Sequence, residues 1–145
     1  MNKLITCYNK AFSCTDKAAH LPSMLARIII GWIFIEAGWG KLHHLDHVVE
    51  FFTSLGIPFP QLQAPFVATV ELVGGIFILI GLFTRLSSLV LIPVMGVAIL
   101  TANRADIEDV SSLFSMSEFL FIILLIGLVV HGAGCFSADR KLNIK

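Results

Sequence analysis

The residues able to do chemistry here are the ionisable groups set among Ile, Leu, Val, Phe and Gly: Arg27, Glu36, Lys41, Glu71, Arg85 and His131. In hydrocarbon a charged side chain costs about 2.5–3.5 kcal/mol on insertion scales, so each needs a partner, a cavity or a route to the interface. Arg27 and Lys41 carry stems long enough to snorkel. Glu36 and Glu71 do not. A mid-membrane carboxyl can exchange a proton, orient a ligand or tie two helices together by hydrogen bonding. Glu71 is the candidate catalytic group. Arg27, Glu36, Lys41, Arg85 and His131 complete the set of intramembrane polar groups, whether they bind a ligand or serve the bundle. His131 reads most simply as a polar helix-end residue.

Four apolar stretches hold these residues, apart from Arg85 in the link between the second and third, each near the length of about 20 residues that a membrane-crossing helix needs. They run over about 22–42, 65–83, 86–102 and 116–133. Pro22 and Pro65 stand at helix starts, and Pro93 falls inside the third stretch, where a kink is expected. Composition agrees: 57% of the 145 residues are apolar and only 14% charged, against about 25% charged in an ordinary soluble domain. The expected fold is an all-α membrane protein, a four-transmembrane-helix bundle occupying residues 22–135. Residues 1–21 and 136–145 flank it as a cytoplasmic amino-terminal segment and a cytoplasmic tail. The first twenty or so residues lack the apolar core of a cleavable signal. Formal net charge is zero, so no global field favours nucleic acid. Cys7, Cys14 and Cys135, odd in number and widely spaced, form neither a disulfide framework nor a zinc pattern.

Lysines and arginines set the expected orientation. Lys3, Lys10, Lys17, Arg85, Arg140, Lys141 and Lys145 fall on one side; Lys41 and Arg104 fall on the other, among Asp46, Glu50, Asp106, Glu108 and Asp109. Both termini are therefore expected in the cytoplasm. In the first outer loop Leu45, Val48, Val49, Phe52 and Leu55 recur at helical spacing opposite His44, His47 and Glu50. That pattern predicts a short amphipathic interfacial helix, ended by Gly56-Ile-Pro58-Phe-Pro60. His43, His44, His47 and Glu50 have spacing that could hold a divalent metal, a weak candidate because histidines are also common at interfaces.

Helical geometry sorts the intramembrane groups. At about 100° per residue, Arg27, Gly31, Phe34, Gly38 and Lys41 share one face of the first helix. Glu71, Gly75, Ile78, Leu82 and Arg85 share one face of the second, with Gly74 at its edge. Glycines on both faces favour close helix packing, so these faces are expected to point toward each other. Glu36 lies opposite Arg27, beside Trp32, Trp39 and Gly40. Counting the rise per residue puts Glu36 and Glu71 near the midplane, and Arg27 is a candidate ion-pair partner for Glu71.

These same residues resemble the opening and second-span motifs of the DoxX family: Arg27-x-x-x-Gly31-x-x-Phe34-x-x-x-Gly38-x-x-Lys41, then Glu71-Leu-Val-Gly74-Gly75-x-x-x-Leu79-x-Gly81-Leu82-x-Thr84-Arg85. Gly132-x-Gly134-x-x-Ser137-x-Asp139 is similar to the family's closing turn, with Ala133 where proline is common. The histidine cluster is outside the family pattern. The resemblance implies a four-helix protein of the bacterial or archaeal inner membrane, in a family linked to quinol oxidase, thiosulfate oxidation and thiol or oxidative stress. Most members have no assigned reaction.

Three functions fit. The first is a subunit of a membrane redox complex with a quinone site, the electrons coming from a partner because no residue here carries them across a membrane. The second is a non-catalytic scaffold; the third, a small proton-coupled transporter, in which four helices would need to oligomerise to enclose a path. The expected partners are the lipid bilayer and either further copies of the chain or a soluble or membrane redox protein. No paired histidines buried in the spans suggest haem.

Overall fold

A computed structural model describes residues 21–101, 114 and 116–132. The chain is all-helical over these residues. Helix α1 spans Leu21–His43, α2 Leu45–Ser54, α3 Pro60–Ile80, α4 Thr84–Thr101 and α5 Ser117–His131. Three of them, α1, α3 and α4, are long and apolar enough to cross a membrane; α5 is a shorter apolar helix. The cysteines, Arg104 and the closing Gly134–Asp139 motif lie outside the described residues.

The helix boundaries follow from local chemistry. His44, in a non-helical conformation, separates α1 from α2. In α2, Leu45, Val48, Val49 and Phe52 are half-buried while Asp46, His47 and Glu50 are exposed, as the alternation of apolar and polar positions requires. Helix α3 starts at Pro60, five residues before the expected start at Pro65, which instead lies inside the helix. Pro60 stands in the first turn, where a missing N–H costs nothing, and Gln63 Nε2 donates to the Pro58 carbonyl at 2.7 Å. The Gln61 carbonyl that Pro65 cannot reach belongs to an exposed residue. At the other end Gly81 takes φ +76°, and the Leu82 N–H donates to the Phe77 carbonyl at 2.8 Å. This six-to-one closure requires a left-handed residue at its bend, which glycine adopts without strain. Helix α4 continues through Pro93.

Helix α1 packs along α3, α4 packs on α5, and α3–α4 contacts join the two pairs. The apolar core where they meet contains Ile30 and Phe34 of α1, Ile78 of α3, Leu91 and Met95 of α4, and Leu125 and Leu128 of α5. The α1–α3 seam is closest where the sequence places its glycines. A Cβ on Gly38 would sit 2.5 Å from the Leu72 nitrogen and 2.8 Å from the Ala68 oxygen; one on Gly75 would sit 2.8 Å from the Ile35 nitrogen. Backbone meets backbone there. The outward faces stay apolar: Ile29, Ile80, Leu86, Leu100 and Val130 are each more than half exposed, a surface suited to lipid.

Gly38→Ala and Gly75→Ala should therefore each destabilise the protein in detergent by about 1–3 kcal/mol, the range for overpacking a filled contact. Gly96 and Gly127 have open space where a Cβ would go, so their alanine variants should be neutral or stabilised by up to about 1 kcal/mol. Thermal unfolding of the four variants checks this; equal losses in all four would contradict the packing argument.

Candidate intramembrane site

The register of the α1–α3 seam decides which charges meet. Gly31 lies against Leu79, Gly75 against Gly31 and Ile35, and Gly38 against Leu72 and Ala68, so the helices are antiparallel. Glu71 therefore comes level with the last turns of α1. Side chains lean toward the N-terminus of their own helix. Lys41 leans back down α1, Glu71 leans toward the start of α3, and the two converge. Lys41 Nζ donates to both Glu71 carboxylate oxygens at 2.5 Å. Glu71 is 1% exposed, whereas the Lys41 side chain is 33% exposed. An ionised carboxylate this buried is costly unless a cation lies against it, as Lys41 does here.

The expected Arg27–Glu71 pair does not form. The same register sets Arg27 beside the α3–α4 link, some twelve residues along α3 from Glu71, or about 18 Å at the helical rise. Arg27 is itself buried, at 5% exposure, and Thr84, Ser87 and Ser88 at the start of α4 are buried too. Also toward this end, Ser23 Oγ donates to the Gly132 carbonyl at 2.8 Å, and Arg85 Nε lies 3.3 Å from where a Cβ on Gly132 would stand. The His131 ring is exposed, its Nδ1 3.0 Å from the Gly127 oxygen. The polar residues expected in the spans thus divide into a Lys41–Glu71 pair, a second polar region containing Arg27 and Arg85, and Glu36, exposed on the outward face of α1.

Beside the Lys41–Glu71 pair is a cavity of about 790 Å³ between α2 and α4, floored by α3. Its wall is overwhelmingly apolar. Val48, Phe51, Phe52 and Leu55 come from α2; Phe66, Val67 and Val70 from α3; Val90, Pro93, Val94 and Val97 from α4. The polar contributions are Lys41 and Glu71, with His44, His47, Gln63 and Thr101. Its volume falls within the range of about 300–1,000 Å³ typical of small-molecule sites, and a few polar groups in an apolar wall are their usual composition. The α4 contribution was not anticipated, although Val90, Val94, Val97 and Thr101 recur at helical spacing and could have marked that face.

The histidine-rich segment does not assemble as a metal site. Among the described residues no group of three or more His, Cys, Asp or Glu could hold a metal ion. The His43 ring lies tilted against Trp39 with ring centroids 4.4 Å apart, its Nδ1 3.0 Å from the Trp39 oxygen. The His44 and His47 rings are 6.3 Å apart, and His47 Nδ1 is 3.9 Å from Glu50 on an exposed surface.

The DoxX family model matches residues 23–104, which include α2 to α4, all but the first two residues of α1, the pair and the whole cavity. The chain belongs to the DoxX family. It is 34% identical over 125 residues to the inner membrane protein YqjF of Escherichia coli, covering 84% of this chain and 92% of that one. It is 31% identical to the inner membrane protein YphA of the same organism, covering 81% and 88%. The putative oxidoreductase CatD of Bacillus subtilis is 28% identical, with 86% and 89% covered. No solved structure matches the chain. DoxX membership and the long apolar helices identify a membrane protein.

Removing one member of a buried ion pair leaves the other uncompensated, whereas replacing both by apolar groups is close to neutral. Lys41→Met should cost about 3 kcal/mol of stability in detergent, and Lys41→Met with Glu71→Leu should recover most of it. Unfolding measurements on the single and double variants check this; a double variant as unstable as the single would show that the pair carries no such coupling.

Proposed function

We propose that this DoxX protein is the membrane subunit of a redox complex, binding a quinone-class ligand in the cavity between α2 and α4. The observation that carries the reading is the juxtaposition of one buried ion pair with a large apolar cavity. A quinone has a polar ring with two carbonyl oxygens and an apolar tail. The Lys41 ammonium can donate to a ring oxygen, and the valine and phenylalanine wall suits the tail. Reduction of a quinone to a quinol takes two electrons and two protons. A partner redox protein supplies the electrons. Glu71 relays protons to the ring oxygens and is reprotonated from solvent through the half-exposed Lys41 side. The name of the Bacillus subtilis relative, putative oxidoreductase, is in keeping with this chemistry, at 28% identity.

In the same reading the protein sits in the inner membrane with four crossings, α5 being the fourth. Helix α2 lies at the interface and both termini are cytoplasmic. The motivation is the excess of Lys and Arg on the side of the termini and Arg85. A periplasm-dependent reporter enzyme should be active when inserted within residues 106–111 and inactive when fused after Lys145. The reverse pattern would invert the orientation.

Glu71→Gln separates this function from a scaffold, because it keeps the side-chain shape and a hydrogen-bond acceptor but removes the titratable proton. The variant should fold, assemble and bind a short-chain quinone, yet lose quinone-linked turnover by about 10²-fold or more, the usual contribution of a positioned proton donor. Val94→Trp, which narrows the cavity, should weaken quinone binding measured on the purified protein by about tenfold or more. Wild-type turnover in the Glu71→Gln complex, or undiminished binding in Val94→Trp, would overturn the reading.

A further inference from the structure

Glu36 belongs to neither polar region and is not explained by the cavity. It stands in α1 seven residues before His43, or about 10 Å along the axis, too far for a glutamate side chain to reach the helix end. Its carboxyl is exposed and makes no hydrogen bond or ion pair among the described residues. At about 100° per residue, Ile29, Trp32, Glu36, Trp39 and Gly40 occupy one side of the helix, opposite Gly38 and the α3 seam. Ile29 is 55% exposed, Trp32 62% and Trp39 58%. The two indole N–H groups also have no hydrogen-bond partner among the described residues. A Cβ on Gly40 would meet nothing within 4 Å. This face is apolar apart from one acceptor and two donors.

We infer that this face of α1 is the contact between two copies of the chain, with each Glu36 carboxyl accepting a hydrogen bond from an indole N–H of the other copy. The geometry favours a second copy over other occupants. Lipid tails offer no hydrogen-bonding partner, so a lipid-covered Glu36 would bear its full desolvation cost. A second copy brings donors for Glu36 and an acceptor for an indole together, from residues already on this face. Two copies related by a twofold axis along the helices bring equal depths together. Trp32 and Trp39 are then offset from the partner's Glu36 by four and three residues, about 6 and 4.5 Å along the axis, within reach of an indole and a carboxyl side chain. Each Glu36 thus has an indole donor within reach in the other copy, on either side of its own depth. Gly40 leaves room for the approaching backbone or ring, as small residues do at membrane helix contacts. The inference does not depend on the quinone reading, because this face is outside the cavity.

The test uses the full chain in native membranes and then in mild detergent, with the three cysteines replaced by serine. Gly40→Cys should form a disulfide-linked dimer on mild oxidation, and Gly96→Cys, in open space on α4, should not. Glu36→Leu should weaken dimerisation measured in detergent by about tenfold, as expected for losing two intramembrane hydrogen bonds. Glu36→Gln, which keeps an acceptor, should largely retain it. Thermal stability of the Glu36→Leu monomer should be unchanged, because Glu36 makes no polar contact within the described chain. A Glu36→Leu protein that dimerises as well as wild type, a Gly40→Cys chain that cross-links only to another protein, or a wild-type chain that is monomeric by native mass at all concentrations would each overturn the inference.

Discussion

The close backbone approach between α1 and α3 governs the arrangement of the charges they carry. Gly38 against Leu72 and Ala68, and Gly75 against Gly31 and Ile35, lock the two helices in one antiparallel register. Sliding either helix by a turn would drive a Cβ-bearing residue into the opposing backbone. In hydrocarbon there is no hydrophobic drive to bring helices together, so such close van der Waals contact supplies much of the association energy. The register then determines that Lys41, one turn beyond Gly38, falls beside Glu71, one turn before Gly75.

That pair is electrostatically asymmetric. Glu71 is enclosed, and Lys41 retains a third of its side-chain exposure. The enclosed partner depends on the other for its charge, and the accessible partner connects the pair to the cavity. An ion pair of this kind adds little to stability compared with well-packed apolar residues of similar volume. Its presence beside about 790 Å³ of apolar space therefore favours use over mere packing. The buried polar residues Arg27, Thr84 and Ser88 do not line this cavity; Thr84 and Ser88 belong to the packing of α4, which fits a role in joining the two helix pairs.

Helix α2 gives the cavity its shape. It has no fully buried residue, yet its apolar face forms one wall through Val48, Phe51, Phe52 and Leu55. An amphipathic helix whose apolar side is shared between a cavity and its surroundings can exist only where the surroundings are also partly apolar. The same segment that looks like a connecting loop by length thus acts as a cover over α3.

Much of this was legible in the residues alone. The apolar stretches, the amphipathic α2 and the glycine faces depend on local periodicity and on backbone sterics, which act within a few residues. Membership of the DoxX family was visible in the spacing of Arg27, Gly31, Gly38 and Lys41, and of Glu71, Gly75 and Arg85. What tertiary structure decided was the partner of Glu71. Arg27 and Lys41 share a face with nearly equal claims by angle, and only the depth at which α1 meets α3 distinguishes them, a distance of some 18 Å set by glycine contacts between helices. Pro65 is a local matter instead: it could start a helix by its own chemistry but lies inside one because Pro60 began it earlier. The cavity belongs wholly to tertiary structure. It is bounded by three helices whose relative positions no single periodicity contains, and it exists because α2 is held off α4 by the breadth of α3.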